Sequence, residues 1–251
     1  MKPRLDRYLV DQGLVESREK AQALIMAGEV LVNGQKAQKS GQSVPADAKI
    51  ELTAKLRFVS RGGLKMEGAL AAFHLNVHGL VCADFGASTG GFTDCLLQNG
   101  ALRVHAIDVG TNQLDWRLRS DPRVLSKEGL NARYVELSDL GEKIDLAVCD
   151  VSFISATLII PAMARVLQPN GQVVVLVKPQ FEVGRDQVGK GGIIRDPALH
   201  AESCGKLRAA LVALGFQTKL ADSPITGTEG NREFLLYGYK MPIAETTTET
   251  A

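Results

Sequence analysis

Between residues 80 and 239 the chain alternates short apolar, β-branched runs with helical ones, and few folds accept that alternation. Residues 80–85, 104–109, 145–151 and 173–178 read as strands, and 91–98, 154–167 and 197–214 read as helices. Asn99-Gly100 and Pro169-Asn170-Gly171 interrupt the runs, and 179–197 reads as a loop with four glycines. Residues 217–222 and 234–239 read as the closing strands. Strands separated by helices predict a parallel, doubly wound α/β sheet with a Rossmann-like architecture. The 25 glycines, about a tenth of the chain, suit the tight turns of such a fold.

The first 57 residues follow a different pattern. Leu5, Leu9 and Val10 recur at helical spacing, and Gly13 ends that helix. Ser17 is placed to cap a second helix with an Ala21, Leu24 and Ile25 stripe, which Gly28 closes. Val30-Leu31-Val32 and Ile50-Glu51-Leu52 read as strands, and Asn33-Gly34 is a hairpin turn signal because type I′ turns need two positive φ angles. This unit holds ten Lys and Arg against seven acids, so the whole-chain formal charge of +1 conceals a basic N-terminal unit and a slightly acidic remainder. A small α+β domain over 1–56, a linker at 57–60, a large domain over 61–243 and a frayed tail at 244–251 follow from this reading.

Ligands of open α/β sheets bind at the carboxyl ends of the strands. Four charged residues fall there: Asp84, Asp108, Asp150 and Lys178. The first leads into the turn Asp84-Phe-Gly86-Ala-Ser88-Thr-Gly90-Gly91-Phe92, which lacks the G-x-G-x-x-G spacing of a dinucleotide site but brings a ligand close to backbone amides. Asp108 ends the next strand, where a carboxylate can accept the two hydroxyls of a ribose. Together they suggest an adenosine cofactor that needs no phosphate, and S-adenosylmethionine fits. Gly184–Lys190 has the start of a P-loop, but Gly191 stands where Ser or Thr would hold magnesium. Lys178 closes a strongly apolar strand, and Lys65, in Ser60-Arg61-Gly62-Gly63-Leu64-Lys65, is a candidate second cation favouring a neutral Lys178 amine.

At these positions the large unit resembles the FtsJ-type ribose 2′-O-methyltransferases, whose mark is a Lys–Asp–Lys–Glu tetrad. SRGGLKMEGAL supplies Lys65, CDVSF supplies Asp150, VLVKPQFE supplies Lys178 and GNREFLLY supplies Glu233. The loop DFGASTGGFTD resembles that family's cofactor loop, with Ser-Thr where Ala-Pro is common. The small unit resembles an S4 RNA-binding domain through RLDRYL, GLVESREKAQALIMAGEVLVNG and SVPADAKIEL. The combination is similar to the TlyA family of ribosomal RNA cytidine 2′-O-methyltransferases, some of which are also labelled haemolysins.

The resemblance implies a catalytic set of Lys65, Asp150, Lys178 and Glu233, with Lys178 as general base. It implies a cofactor site of Asp84, Gly86, Ser88, Gly90, Gly91, Phe92 and Asp108, and no metal. Arg4, Arg7, Arg18, Lys20 and Arg61 are the candidate RNA contacts, with ribosomal RNA or a ribosomal subunit as partner.

Other classes fit less well. A base N-methyltransferase would carry D/N-P-P-Y/F, and Asp150-Val-Ser-Phe153 lacks both prolines, although Phe153 can still stack a base. The longest uncharged apolar stretch, 151–164, is shorter than a bilayer span and contains Pro161. The N-terminus lacks the apolar stretch of a signal peptide. The four cysteines are far apart, which predicts reduced, buried thiols in a cytoplasmic protein.

Overall fold

The computed structural model describes residues 3–45, 47–52, 57–227 and 230–240. The tail expected at 244–251 lies outside them. The chain forms two compact units, Met1–Arg57 and Phe58–Ala251.

In the first unit, α1 (Leu5–Asp11) and α2 (Arg18–Met26) pack beside a small sheet of β1 (Val30–Val32), β2 (Gln35–Lys36) and β3 (Ile50–Leu52) in the order β2-β1-β3. The stripe that sets the helices is the core: Leu5, Leu9, Ala21, Leu24, Ile25 and Val30 are buried together. Ser17 caps α2 by accepting a hydrogen bond from the Lys20 amide at 3.2 Å. Asn33 and Gly34 both have positive φ, 52° and 77°, as the hairpin turn requires.

The second unit is built on a seven-stranded sheet ordered β6-β5-β4-β7-β8-β10-β9. Its strands are β4 (Val81–Phe85), β5 (Arg103–Asp108), β6 (Val124–Glu128), β7 (Ile144–Cys149), β8 (Leu167–Val177), β9 (Gln217–Asp222) and β10 (Phe234–Tyr239). On one face lie α3 (Gly62–Phe73) and α4 (Gly91–Gln98), against Val104, Leu146, Val174 and Leu235. After the short helices α5 (Trp116–Arg119) and α6 (Leu137–Leu140), α7 (Ile160–Val166) and α9 (Pro197–Ala213) lie on the other face, against Phe85, Val148's neighbours Ala147 and Cys149, Val175 and Leu236. Alternate residues of one strand thus serve opposite cores, as the period of two demands.

Four details differ from the sequence reading. The sheet is not wholly parallel, because β10 pairs antiparallel with both β8 and β9. Hydrophobic pattern carries no strand direction, so this was not readable. The helix expected over 154–167 is two pieces, a 3-10 turn at Ala156–Leu158 and then α7, because Ser155 caps the first piece and Pro161 starts the second. The Pro169-Asn170-Gly171 interruption survives as a bulge within β8: Ile144 pairs with Leu167, but Leu146 pairs with Gln172. The loop after β8 also contains a short helix, α8 (Pro179–Glu182). All four cysteines are free and buried.

Candidate active site

The carboxyl ends of β4, β5, β7 and β8 gather the residues singled out from the sequence. The turn after β4 depends on two glycines with φ near +90°. At Gly86 (φ 85°) a Cβ would come within 3.0 Å of the Asp150 carbonyl oxygen, and at Gly90 (φ 94°) within 2.3 Å of Leu118. This seats the first turn directly on the strand end that carries Asp150. Gly91 opens α4 where a Cβ would lie 2.8 Å from the Gly63 nitrogen, so the starts of α3 and α4 nearly touch.

Asp84 is completely buried under this turn. Its Oδ2 accepts hydrogen bonds from the Thr93 amide at 3.1 Å and the Thr93 hydroxyl at 2.7 Å, while Oδ1 has no partner. Burial, with Asp150 and Asp108 adding smaller contributions, pushes its carboxyl up to about 7. Asp108 uses both oxygens to hold backbone: Oδ2 accepts from Ser88 N at 2.8 Å and Oδ1 from Gly110 N at 2.7 Å. It therefore fastens the glycine turn to the segment after β5, and each oxygen keeps a second lone pair. Ala87, Ser88, Asp108, Gly110, Gln113, Leu114, Ser126 and Glu128 line a small cavity here. Gln113, Ser126 and Glu128 were not singled out from the sequence; the last two lie on β6, whose Val-Leu-Ser-Lys-Glu run has no clear apolar alternation. Phe92 is 2% exposed in the core beneath the turn, so its ring supports the loop from behind.

The tetrad residues form two ion pairs. Lys178 Nζ lies 2.5 Å from Asp150 Oδ1 and donates to Ser152 Oγ at 2.9 Å. Lys65 Nζ lies 2.6 Å from Glu233 Oε2, and both side chains are at least nine-tenths buried. The register that pairs Phe234 with Val177 brings the next residues, Glu233 and Lys178, to neighbouring strand ends. Lys65 is 8% exposed, and α3 is fastened to the segment before β10 by Arg61, which donates to the Thr226 carbonyl at 2.7 Å, and by Gly68, whose missing Cβ admits Pro224. Beside Lys178, Phe153 is 92% exposed with φ 65°, and its ring centre is 5.3 Å from that of Phe181. A bulky side chain in the left-handed region is held there at a cost.

In the first unit the candidate RNA contacts are already paired. Asp6 is fully buried and accepts from Arg4 at 3.0 and 3.1 Å, Arg18 at 3.0 Å and Gln22 at 3.0 Å. The Arg4 hydrogen bond above all holds its carboxyl well below the usual carboxylate range. Both guanidinium groups remain about half exposed. Lys20 pairs with Glu16 at 3.2 Å, and Arg7 with Asp11 at 3.8 Å.

A seven-stranded sheet with a single antiparallel strand inside one edge, and a glycine turn after its central strand, defines the S-adenosylmethionine-dependent methyltransferase fold. The Mesorhizobium loti S-adenosylmethionine dependent methyltransferase has this fold at a TM-score of 0.51 and 16% identity, covering 69% of this chain and 96% of that one. More narrowly, the chain belongs to the FtsJ-like methyltransferase family, whose model matches residues 58–240, and it carries an S4 domain matching residues 3–50. It is 43% identical over 237 residues to the 16S/23S rRNA (cytidine-2′-O)-methyltransferase TlyA of Mycobacterium tuberculosis, covering 93% of this chain and 88% of that protein. It is also 43% identical over 236 residues to Hemolysin A of Brachyspira hyodysenteriae, covering 93% and 98%. A solved structure from Streptococcus thermophilus matches with a TM-score of 0.76 and 49% identity, over 96% of this chain and 89% of that one.

Among the described residues no helix is long and apolar enough to cross a membrane, and no group of three or more His, Cys, Asp or Glu is placed to hold a metal ion.

Proposed function

We propose that the protein methylates a ribose 2′-hydroxyl of ribosomal RNA, that of a cytidine, with S-adenosylmethionine as donor and Lys178 as general base. The observation that carries the reading is the pair of ion pairs, Lys178–Asp150 and Lys65–Glu233, at the strand ends that flank the glycine turn. The residues fit this cofactor: Gly86 and Gly90 let the turn pack closely on the Asp150 strand end and on Leu118, and Asp84 keeps an unpaired oxygen under the turn. Asp108, Gln113 and Glu128 supply acceptors and donors around the adjoining cavity. When bound, S-adenosylmethionine supplies an electrophilic methyl group.

The chain's own residues handle the proton and the developing charge. A ribose hydroxyl is a weak acid, so it needs a base as it attacks. Lys178, neutral at the moment of reaction, takes that proton, and Asp150 and Ser152 fix the direction of its amine. Lys65, held by Glu233, is a buried cation that favours an oxyanion on the ribose. Phe153 offers an exposed face on which an unstacked base can lie.

Lys178→Ala is expected to abolish transfer from labelled S-adenosylmethionine to ribosomal subunits, with cofactor affinity changed no more than a few fold. Wild-type turnover in that variant would remove Lys178 from the chemistry. Nucleoside digestion followed by mass analysis locates the methyl group, and a methyl on the base would favour the N-methyltransferase reading instead.

A further inference from the structure

One buried carboxylate beside this site has no part in the chemistry above. Glu182, at the end of α8, is 6% exposed. It accepts from Ser155 Oγ at 2.5 Å and from the Ala156 amide at 2.7 Å. Lys206 of α9 lies 3.5 Å from its Oε2 and donates to its backbone carbonyl at 2.8 Å. Ser155 and Ala156 begin the 3-10 turn that ends the β7–α7 segment. That segment carries Asp150, Ser152 and Phe153. Glu182 itself follows Lys178 by one turn of helix, and Phe181 is its neighbour.

We infer that Glu182 is a positioning residue for methyl transfer: its carboxylate clamps the segment bearing Asp150, Ser152 and Phe153 to the segment bearing Lys178 and Phe181. The inference rests on the function proposed above. Three contacts join the two segments on the exposed side: Lys178 to Asp150, Lys178 to Ser152 and Phe153 to Phe181. Each involves a group that must move or release its partner during catalysis. Lys178 exchanges a proton, and Phe153 meets the substrate base. Glu182 supplies the buried attachment that stays made while those contacts change. Its charge is balanced by Lys206 rather than by a reacting group, so it holds position without entering the reaction. It also accounts for Phe153 in the left-handed region: a loop tied down two residues later cannot relax that φ by swinging away.

The test compares Glu182→Ala and Glu182→Gln with wild type, with rates expressed per cofactor-binding site so that unfolded protein is not counted. Glu182→Ala is expected to lower kcat by ten- to a hundredfold and raise KM for ribosomal subunits severalfold. Its Kd for S-adenosylmethionine should stay within about twofold, because the glycine turn is held by Asp84 and Asp108. Glu182→Gln still accepts from Ala156 and lets the Ser155 hydroxyl rotate to accept, so it should recover most of kcat. A residue that only stabilises the fold would lower the number of binding sites and leave kcat and KM per site at wild-type values. That outcome would overturn the inference. Absence of methyl transfer by the wild-type enzyme would instead overturn the functional reading.

Discussion

At the scale of single residues, Asp84 shows how burying a carboxyl under the glycine turn opposes stability. Its carboxyl is raised from an ordinary 3.8 to about 7 by burial, and one oxygen is left unpaired. A carboxyl raised in the folded state binds its proton more tightly there than in the unfolded chain. Its contribution is fully present below about pH 4 and is lost as pH rises through 7. That rise corresponds to about 4 kcal/mol. Asp84→Asn removes the titration and keeps an acceptor for Thr93, but it leaves an amide unpartnered, which returns about 1–3 kcal/mol of the gain. The variant should therefore melt higher than wild type at pH 8, by several degrees, and no higher at pH 4. Its affinity for S-adenosylmethionine should fall at least tenfold. Melting curves from pH 4 to 9 with calorimetric titration check both, and parallel pH dependences would show that Asp84 is not the group responsible.

At the scale of elements, the same substitution has opposite signs at two glycines. Gly63 lies in the first turn of α3, where a Cβ would fall 2.2 Å from the buried Phe58 ring. Gly63→Ala must push α3 outward, and overpacking of this kind costs about 1–3 kcal/mol. Because α3 carries Lys65, activity should fall with it. Gly205 sits on the exposed side of α9 with nothing within 4 Å of a Cβ, so Gly205→Ala should stabilise by about 0.5–1 kcal/mol with unchanged activity. Chemical denaturation of the two variants tests the pair, and equal signs would contradict the packing argument. The elements also show what a sequence can carry. The bounds of α4, β9 and β10 were legible because each is an uninterrupted periodic run between turn residues. The bounds of α3 are not legible, since Gly62-Gly63 opens it and glycine weakens any helical signal. Four separate motifs single out Lys65, Asp150, Lys178 and Glu233, and the structure pairs them two by two. The work of Glu182 was not, because it depends on contacts to residues 26 and 27 positions away.

At the scale of the whole molecule, a charge near zero is the sum of a basic first unit and a slightly acidic second one. The first unit carries the excess of basic residues, and its Arg4–Asp6–Arg18 cluster has one positive charge beyond the buried carboxylate. Asp6 therefore fixes the two guanidinium groups side by side, at the expense of half their charge, and a phosphate meeting both would cost less entropy than one meeting two free side chains. If this unit contacts the RNA backbone through them, each arginine releases a counterion on binding. Arg4→Ala and Arg18→Ala should then each weaken RNA binding at every sequence and reduce the slope of log affinity against log salt by about 0.7–0.9. The two losses should not add. Removing either arginine leaves Asp6 with one strong partner, while removing both leaves a buried carboxylate held by Gln22 and the Arg7 amide alone, which destabilises the unit. The double variant should thus bind RNA more weakly than the product of the single losses, with S-adenosylmethionine affinity in the second unit unchanged. Anisotropy titrations of fluorescent ribosomal RNA fragments between 50 and 300 mM KCl measure the slopes. Slopes equal to wild type in both single variants would place the RNA on another face of the protein.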